Sequence, residues 1–256
     1  MSAAMTDRTH PQTARDLMSI SPVIPVVVVT QTTDSASLAR ALLSGGVGIM
    51  EITLRTSAAL EAIRRATQEV PGMVVGAGSV STVRQAEQAR AAGAMFLVSP
   101  GATPNLARAA LDTGLPYLPG VSTVSEMLAL RELGLDAMKF FPALASGGLA
   151  FLSAVAGPLP HLMFCPTGGI TLANATDWLS LRNVGCVGGS WLTPADALAA
   201  RDWGRIEELA QSATRLTNAV ASHVSAPAET FASLAGAEQS EDHNGGECGT
   251  AANRRF

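Results

Sequence analysis

Short runs of apolar residues recur along the chain at nearly even intervals. They begin at Val23 (VIPVVVV), Val47 (VGIMEIT), Met73 (MVVGA), Ala94 (AMFLVS), Leu115 (LPYLPG), Asp136 (DAMKFFP), His161 (HLMFCP) and Val184 (VGCVGG), with 21 to 26 residues between successive starts. The runs are apolar throughout rather than alternating, as in strands buried on both faces of a parallel sheet. Between them lie Ala/Leu/Glu/Arg-rich stretches with helical spacing: Ser35–Ser44, Ser57–Glu69, Val83–Ala92, Pro104–Thr113, Ser125–Glu132, Gly148–Val155 and Leu172–Ser180. A strand followed by a helix, eight times over, reads as consecutive βα units. Eight units within about 190 residues predict a single α/β domain, a (β/α)8 TIM barrel. An open doubly wound sheet is the other arrangement of such units. Against it, no GxGxxG follows the first strand and no acidic residue closes a second strand in the dinucleotide pattern.

The ends break the pattern. Residues 1–16 are polar and read as a segment that precedes or caps the barrel. The barrel is assigned to residues 17–224, with Trp203–His223 as a final amphipathic helix. Residues 225–256 are small, polar and unpatterned, and read as a disordered tail.

Composition narrows the class. Hydrophobic residues make up 47% of the chain and charged residues 15%, an excess that suits a sheet enclosed by helices. The net charge of -4 and the lack of a basic stripe argue against a nucleic-acid partner or an anionic membrane. Cys165, Cys186 and Cys248 form no CxxC pair and read as reduced thiols. The N-terminus has no apolar signal core, and no apolar run is long enough to span a bilayer, so a cytoplasmic protein is expected.

One count changes the picture more than the rest. The 17 cationic side chains are sixteen arginines and one lysine, Lys139. Arginine stays protonated, whereas lysine can act as a neutral amine. Lys139 lies in the apolar run AMKFF, where burial disfavours an ammonium and a neighbouring cation, Arg55, is expected to disfavour it further. A neutral amine there can attack a carbonyl and form an iminium, which drains electrons from the C3–C4 bond of a 2-keto acid. Two plainer roles are open to the same residue: a lysine snorkelling from a strand end, or half of a salt bridge.

The active site of a β/α barrel lies at the C-terminal ends of its strands, and the polar residues gather there. Glu51, in GIMEIT, is the one acidic residue at the end of a predicted strand and suits proton transfer; an ion pair with Arg55 is compatible with that role. Arg55 suits a substrate carboxylate, and an ordinary surface arginine is the alternative. Gly168-Gly169 and Gly188-Gly189-Ser190 follow strands 7 and 8, the usual phosphate position of such barrels. Pro100 at the end of strand 4 and Phe141 beside Lys139 complete the candidate substrate contacts. His10, His161, His223 and His243 are scattered, and no metal or other cofactor is expected.

Seven motifs in order, GIMEITLRT, VGAGSV, FLVSPGATPNL, LPGVSTVSE, MKFFPA, CPTGGI and VGGSWL, resemble the 2-keto-3-deoxy-6-phosphogluconate (KDPG) and 4-hydroxy-2-oxoglutarate (KHG) aldolases over about residues 20–215. The resemblance implies a class I lyase of the Entner–Doudoroff pathway. Such an enzyme splits its phosphorylated 2-keto acid into pyruvate and D-glyceraldehyde 3-phosphate, usually as a homotrimer. It implies Lys139 as the Schiff-base lysine and Glu51 as the acid/base. Arg55 and Ser79 would contact the pyruvyl carboxylate; Thr167, Gly168, Gly169 and Ser190 would contact the distal phosphate. Ser79 stands where the family often has Thr, and Val124 where it has Pro. Arg55 and Thr167 favour the gluconate sugar over its galactonate epimer. Cleavage of 4-hydroxy-2-oxoglutarate is the alternative activity, and a phosphate-binding barrel without aldolase chemistry is a remote one.

Overall fold

All strand pairings in the computed structural model, which describes residues 11–216, are parallel. In chain order the elements are α1 (Ala14–Ile20), β1 (Val23–Val27), α2 (Ser35–Ser44), β2 (Ile49–Thr53), α3 (Ala59–Glu69), β3 (Val74–Gly78) and α4 (Val83–Ala91). Then follow β4 (Leu97–Val98), α5 (Pro104–Asp112), β5 (Tyr117–Leu118), β6 (Gly120–Val121), α6 (Val124–Arg131) and β7 (Ala137–Phe140). The last are α7 (Gly148–Val155), β8 (Met163–Pro166), α8 (Ala175–Leu179), β9 (Val187–Gly189), α9 (Ala195–Ala200) and α10 (Trp203–Thr214). Helix starts follow local chemistry: the hydroxyls of Thr13, Thr82, Thr103 and Thr123 each accept the backbone N–H three residues on. The amphipathic segment expected over Trp203–His223 is helical as far as Thr214; its last residues, the tail from 225 and residues 1–10 lie outside the described residues.

The result is an α/β fold with two parallel sheets. Six strands follow the order β5-β4-β3-β2-β1-β9 and three follow β6-β7-β8. The fifth expected strand is divided, and Pro119 stands between its halves. Pro119 faces β7, where its carbonyl accepts but it has no N–H to give, so pairing with β7 starts at Gly120; pairing with β4 ends at Leu118. Between β8 and β9 only two isolated bridges form, Phe164 with Val184 and Thr167 with Gly188.

Successive side chains of a strand point to opposite faces, and here the two faces build two cores. Val23, Val27, Met50, Ile52, Val75, Leu97, Met138, Phe140, Phe164 and Val187 pack under the helices. The opposite set, Ile24, Ile49, Val74, Phe96, Val98, Leu118, Ala137, Cys165 and Cys186, forms a smaller core inside the sheets. Leu17 and Met18 of α1 join this inner core. Arg15 fixes α1 from outside, bonding Asp136 at 2.7 Å and the carbonyl of His161. Phe96 fills the inner core where Gly76 carries no side chain; a Cβ at residue 76 would lie 2.3 Å from its ring.

Two stability outcomes follow. Leu17 is fully buried against the inner core, so Leu17→Ala is expected to cost about 2–5 kcal/mol in urea unfolding; a loss below about 1 kcal/mol would mean that α1 does not close the interior. Burial pushes the Tyr117 phenol up to about 12, with its Ser99 hydrogen bond acting the other way. Above pH 10 the unfolded chain loses this proton while the folded chain keeps it. Stability therefore falls between about pH 10 and 12, by on the order of 2 kcal/mol, more in the native protein than in Tyr117→Phe. Equal pH slopes in urea titrations of the two proteins would refute this.

Candidate active site

Two residues along from the inner core, the same inward faces change character. Ile49 is followed by Glu51, Ala137 by Lys139, Val74 by Gly76, Leu118 by Gly120, Cys165 by Thr167 and Cys186 by Gly188. An apolar floor thus gives way to a layer of two charges, one hydroxyl and glycines at the C-terminal ends of the strands.

Lys139 sits on β7 with Gly120 and Cys165 as its ladder partners, and its N–H donates to the Pro119 carbonyl at 2.8 Å. Its side chain is 6% exposed and its Nζ lies 3.3 Å from both carboxylate oxygens of Glu51, itself 4% exposed. These residues are 88 positions apart and belong to different sheets. The Phe141 ring lies beside the amine, its centroid 5.6 Å from Nζ. Glu51 has room because Gly78 has no side chain: a Cβ there would fall 2.0 Å from Glu51 Oε1.

Arg55 stands beyond the end of β2, exposed, and its Nε donates to Ser79 Oγ at 3.1 Å. Ser79 holds a left-handed φ of 57° at the turn leaving β3. The charge beside Lys139 is therefore the Glu51 carboxylate, where the sequence reading placed the Arg55 guanidinium. The reason is geometric: Glu51 is within β2 and faces inward, whereas Arg55 lies past Thr53, where the strand face no longer fixes its direction. Glu51 likewise pairs with Lys139 and not with Arg55.

The far end of the site is built from backbone. Thr167 donates its N–H to Phe140 O at 2.9 Å and turns its hydroxyl to Cys165 O at 3.3 Å. Gly168 and Gly169 follow with φ of 103° and 80°, a left-handed pair that L side chains rarely adopt. Asn174 holds this turn, donating to Gly169 O at 3.1 Å and accepting the Thr171 N–H at 2.9 Å. Gly188 leaves space for Thr167 Oγ1, and Gly189 for the Trp191 ring. Ser190, next after Gly189, is exposed; Pro100 is exposed past β4, its carbonyl against Gly120. Among the described residues no three His, Cys, Asp or Glu side chains lie together as a metal site, and no helix is long and apolar enough to cross a membrane.

The family model for KDPG and KHG aldolase matches residues 15–209. This chain belongs to the KDPG and KHG aldolase family. A 2-dehydro-3-deoxy-phosphogluconate aldolase of Dickeya dadantii is 49% identical over 200 residues, 78% of this chain and 94% of the relative. A KHG/KDPG aldolase of Escherichia coli K12 is 48% identical over the same shares. Among solved structures, a KDPG aldolase of Legionella pneumophila, with pyruvate captured at low pH as a covalent carbinolamine, superposes with a TM-score of 0.77 at 41% identity. That match covers 78% of this chain and 98% of the other.

In this aldolase-family chain the structure brings Lys139, Glu51 and Phe141 together, joins Arg55 to Ser79, and sets Thr167 against Gly188. The sequence reading missed Gly78, Gly120 and Asn174. Counting two residues on from each inner-core position would have found Gly120, whereas Gly78 needs the cross-strand geometry of Glu51. Gly78→Ala is expected to push the Glu51 carboxylate more than about 4 Å from Nζ and to cost about 1–3 kcal/mol, as overpacking does. A crystal structure of that variant with the contact intact would show that the carboxylate does not need the gap.

Proposed function

We propose that this chain is a class I aldolase that cleaves 2-keto-3-deoxy-6-phosphogluconate to pyruvate and D-glyceraldehyde 3-phosphate, the lyase step of the Entner–Doudoroff pathway. The observation that carries the reading is the buried contact between its single lysine and Glu51, in a chain of this family. For this chemistry Nζ must meet the substrate as a free amine, and the Glu51 carboxylate, 3.3 Å away, is placed to take up its proton.

The neutral Nζ then adds to the C2 carbonyl, forming a C–N bond. A proton passes from Nζ to the former carbonyl oxygen, giving the carbinolamine; protonated Glu51 then gives that oxygen a second proton, it leaves as water, and the iminium remains. The carboxylate next takes the proton of the C4 hydroxyl. The C3–C4 electron pair moves into the iminium, giving the aldehyde and an enamine. Protonation at C3 and hydrolysis return pyruvate and the free lysine. Arg55, with Ser79, suits the substrate carboxylate by its paired N–H donors. Thr167, Gly168, Gly169, Gly189 and Ser190 suit the phosphate, and Pro100 and Phe141 wall the pyruvyl end. The chemistry needs no metal or organic cofactor.

We read the two sheets as one closed eight-stranded barrel, joined at Pro119 and at the β8–β9 bridges. The protein is read as cytoplasmic and, from the family resemblance, as a homotrimer. Light scattering is then expected at three times the 26.3 kDa chain mass. The E. coli relative named KHG/KDPG aldolase supports a second substrate, 4-hydroxy-2-oxoglutarate, cleaved to pyruvate and glyoxylate. A comparison of kcat/KM separates the two activities, and strong phosphate dependence favours the sugar acid.

Borohydride reduction in the presence of pyruvate, followed by peptide mapping, is expected to give one adduct, on Lys139, and none in Lys139→Arg. An active Lys139→Arg enzyme would overturn the mechanism. Glu51→Gln should still trap pyruvate, more slowly, while turnover falls about 10²–10⁴-fold; an unchanged kcat would remove Glu51 from proton transfer.

A further inference from the structure

The amine and the carboxylate belong to different hydrogen-bonded ladders. Glu51 is on β2 of the six-stranded sheet and Lys139 on β7 of the three-stranded one. Their 3.3 Å contact therefore depends on how the two sheets are held edge to edge. At Pro119 the ladder pairing passes from the β4 side to the β7 side, and its last bond on the β4 side is weak. Ser99, just past β4, donates its N–H to Leu118 O at a long 3.4 Å.

The Ser99 side chain spans the break instead. Its Oγ lies 2.6 Å from Tyr117 Oη and accepts the Gly120 N–H at 3.4 Å. Tyr117 is in β5, the last strand of one sheet; Gly120 is in β6, the first strand of the other and the ladder partner of Lys139. The neighbouring Pro119 carbonyl accepts the N–H of Lys139 itself at 2.8 Å. The junction has no slack: a Cβ at Gly120 would lie 2.2 Å from the Pro100 carbonyl oxygen. Ser99 is fully buried and Tyr117 is 2% exposed. Tyr117 packs with the residues under the helices, on the side of the wall away from the inner core. Packing alone would be served by phenylalanine, and the phenol is the only one in the chain.

We propose that Ser99 and Tyr117 are positioning residues that clasp the two sheets at the Pro119 break and hold Lys139 at its working distance from Glu51. The clasp touches neither substrate nor reacting atoms; it acts through Gly120 and Pro119. The proposal rests on the Schiff-base reading above. The phenol stays protonated well past neutral pH because burial opposes its ionisation, so the clasp is intact throughout the range in which an aldolase would work.

The test is a double-mutant cycle on the rate of borohydride trapping with pyruvate and on aldol cleavage. Ser99→Ala and Tyr117→Phe are each expected to lower kcat and the trapping rate about tenfold, with KM changed less than about twofold, because a displacement of less than 1 Å is costly at a reacting centre. In the Glu51→Gln background, where the carboxylate that the clasp serves is gone, adding Ser99→Ala should change the trapping rate less than about twofold. A general loss of folded protein would lower both backgrounds equally. Equal effects in the two backgrounds, or unchanged rates in both single variants, would overturn the proposal. Tyr117→Phe nearly preserves volume, so its circular dichroism should match the parent and keep the comparison valid if Ser99→Ala unfolds. A parent protein that pyruvate never modifies would overturn the aldolase reading itself, a different result from a trapped parent with indifferent variants.

Discussion

An ammonium and a carboxylate, each almost without solvent, meet at 3.3 Å between residues 88 positions apart. Such a pair contributes little net stability, because desolvating both ions offsets most of their attraction. An apolar pair of the same volume would serve the fold as well. Yet the surrounding chain is arranged to keep this one. Gly78 gives up its side chain to seat the carboxylate, Gly120 faces the lysine across the ladder, and Pro119 accepts the lysine N–H. Under the proposed reading the arrangement keeps an amine and a carboxylate in contact where close packing excludes water.

The inward faces of the strands divide this work by height. Their lower positions carry Ile24, Ile49, Val74, Phe96, Leu118, Ala137 and the two described cysteines, with Leu17 and Met18 of α1 packed among them. Their upper positions carry Glu51, Lys139, Thr167 and glycines. The floor supplies rigidity and dryness through close packing; the layer above supplies chemistry and, through its glycines, empty space. Side-chain alternation lets one strand contribute to both. Ala137 and Lys139 are two residues apart, and one packs in the floor while the other reaches Glu51.

Much of this was legible in the sequence. The near-even spacing of eight apolar runs gave eight βα units, because burial on both faces removes polar positions from a parallel strand. The single lysine stood out as the candidate nucleophile, and its apolar neighbours marked its burial. Glu51 was legible as the acid at a strand end. Its pairing with Lys139 was not, because a contact across 88 residues depends on strand register rather than local pattern. Arg55 was therefore given the place beside the amine that Glu51 occupies. The divided fifth strand was missed although Pro119 lay in plain view in LPYLPG: a proline at a ladder position ends pairing on that side, and the run was read for hydrophobicity alone. The Ser99–Tyr117 contact joins two neighbouring strands whose polar atoms look like ordinary strand-end residues in sequence.

The two ends of the site differ in a way that bears on substrate orientation. A 2-keto acid with a distal phosphate is anionic at both termini and could enter either way round. On the strand 2 side stands a guanidinium, Arg55, held by Ser79. On the β8 and β9 side stand Thr167, two left-handed glycines and Ser190, without a cationic side chain among them. Planar paired donors match a carboxylate, whereas converging backbone amides and hydroxyls match the tetrahedral phosphate. Under the proposed reading this asymmetry presents the ketone next to the carboxylate to Lys139 and keeps the phosphate away from it. A second cation at the phosphate end would blur that distinction and would add a positive charge to the site.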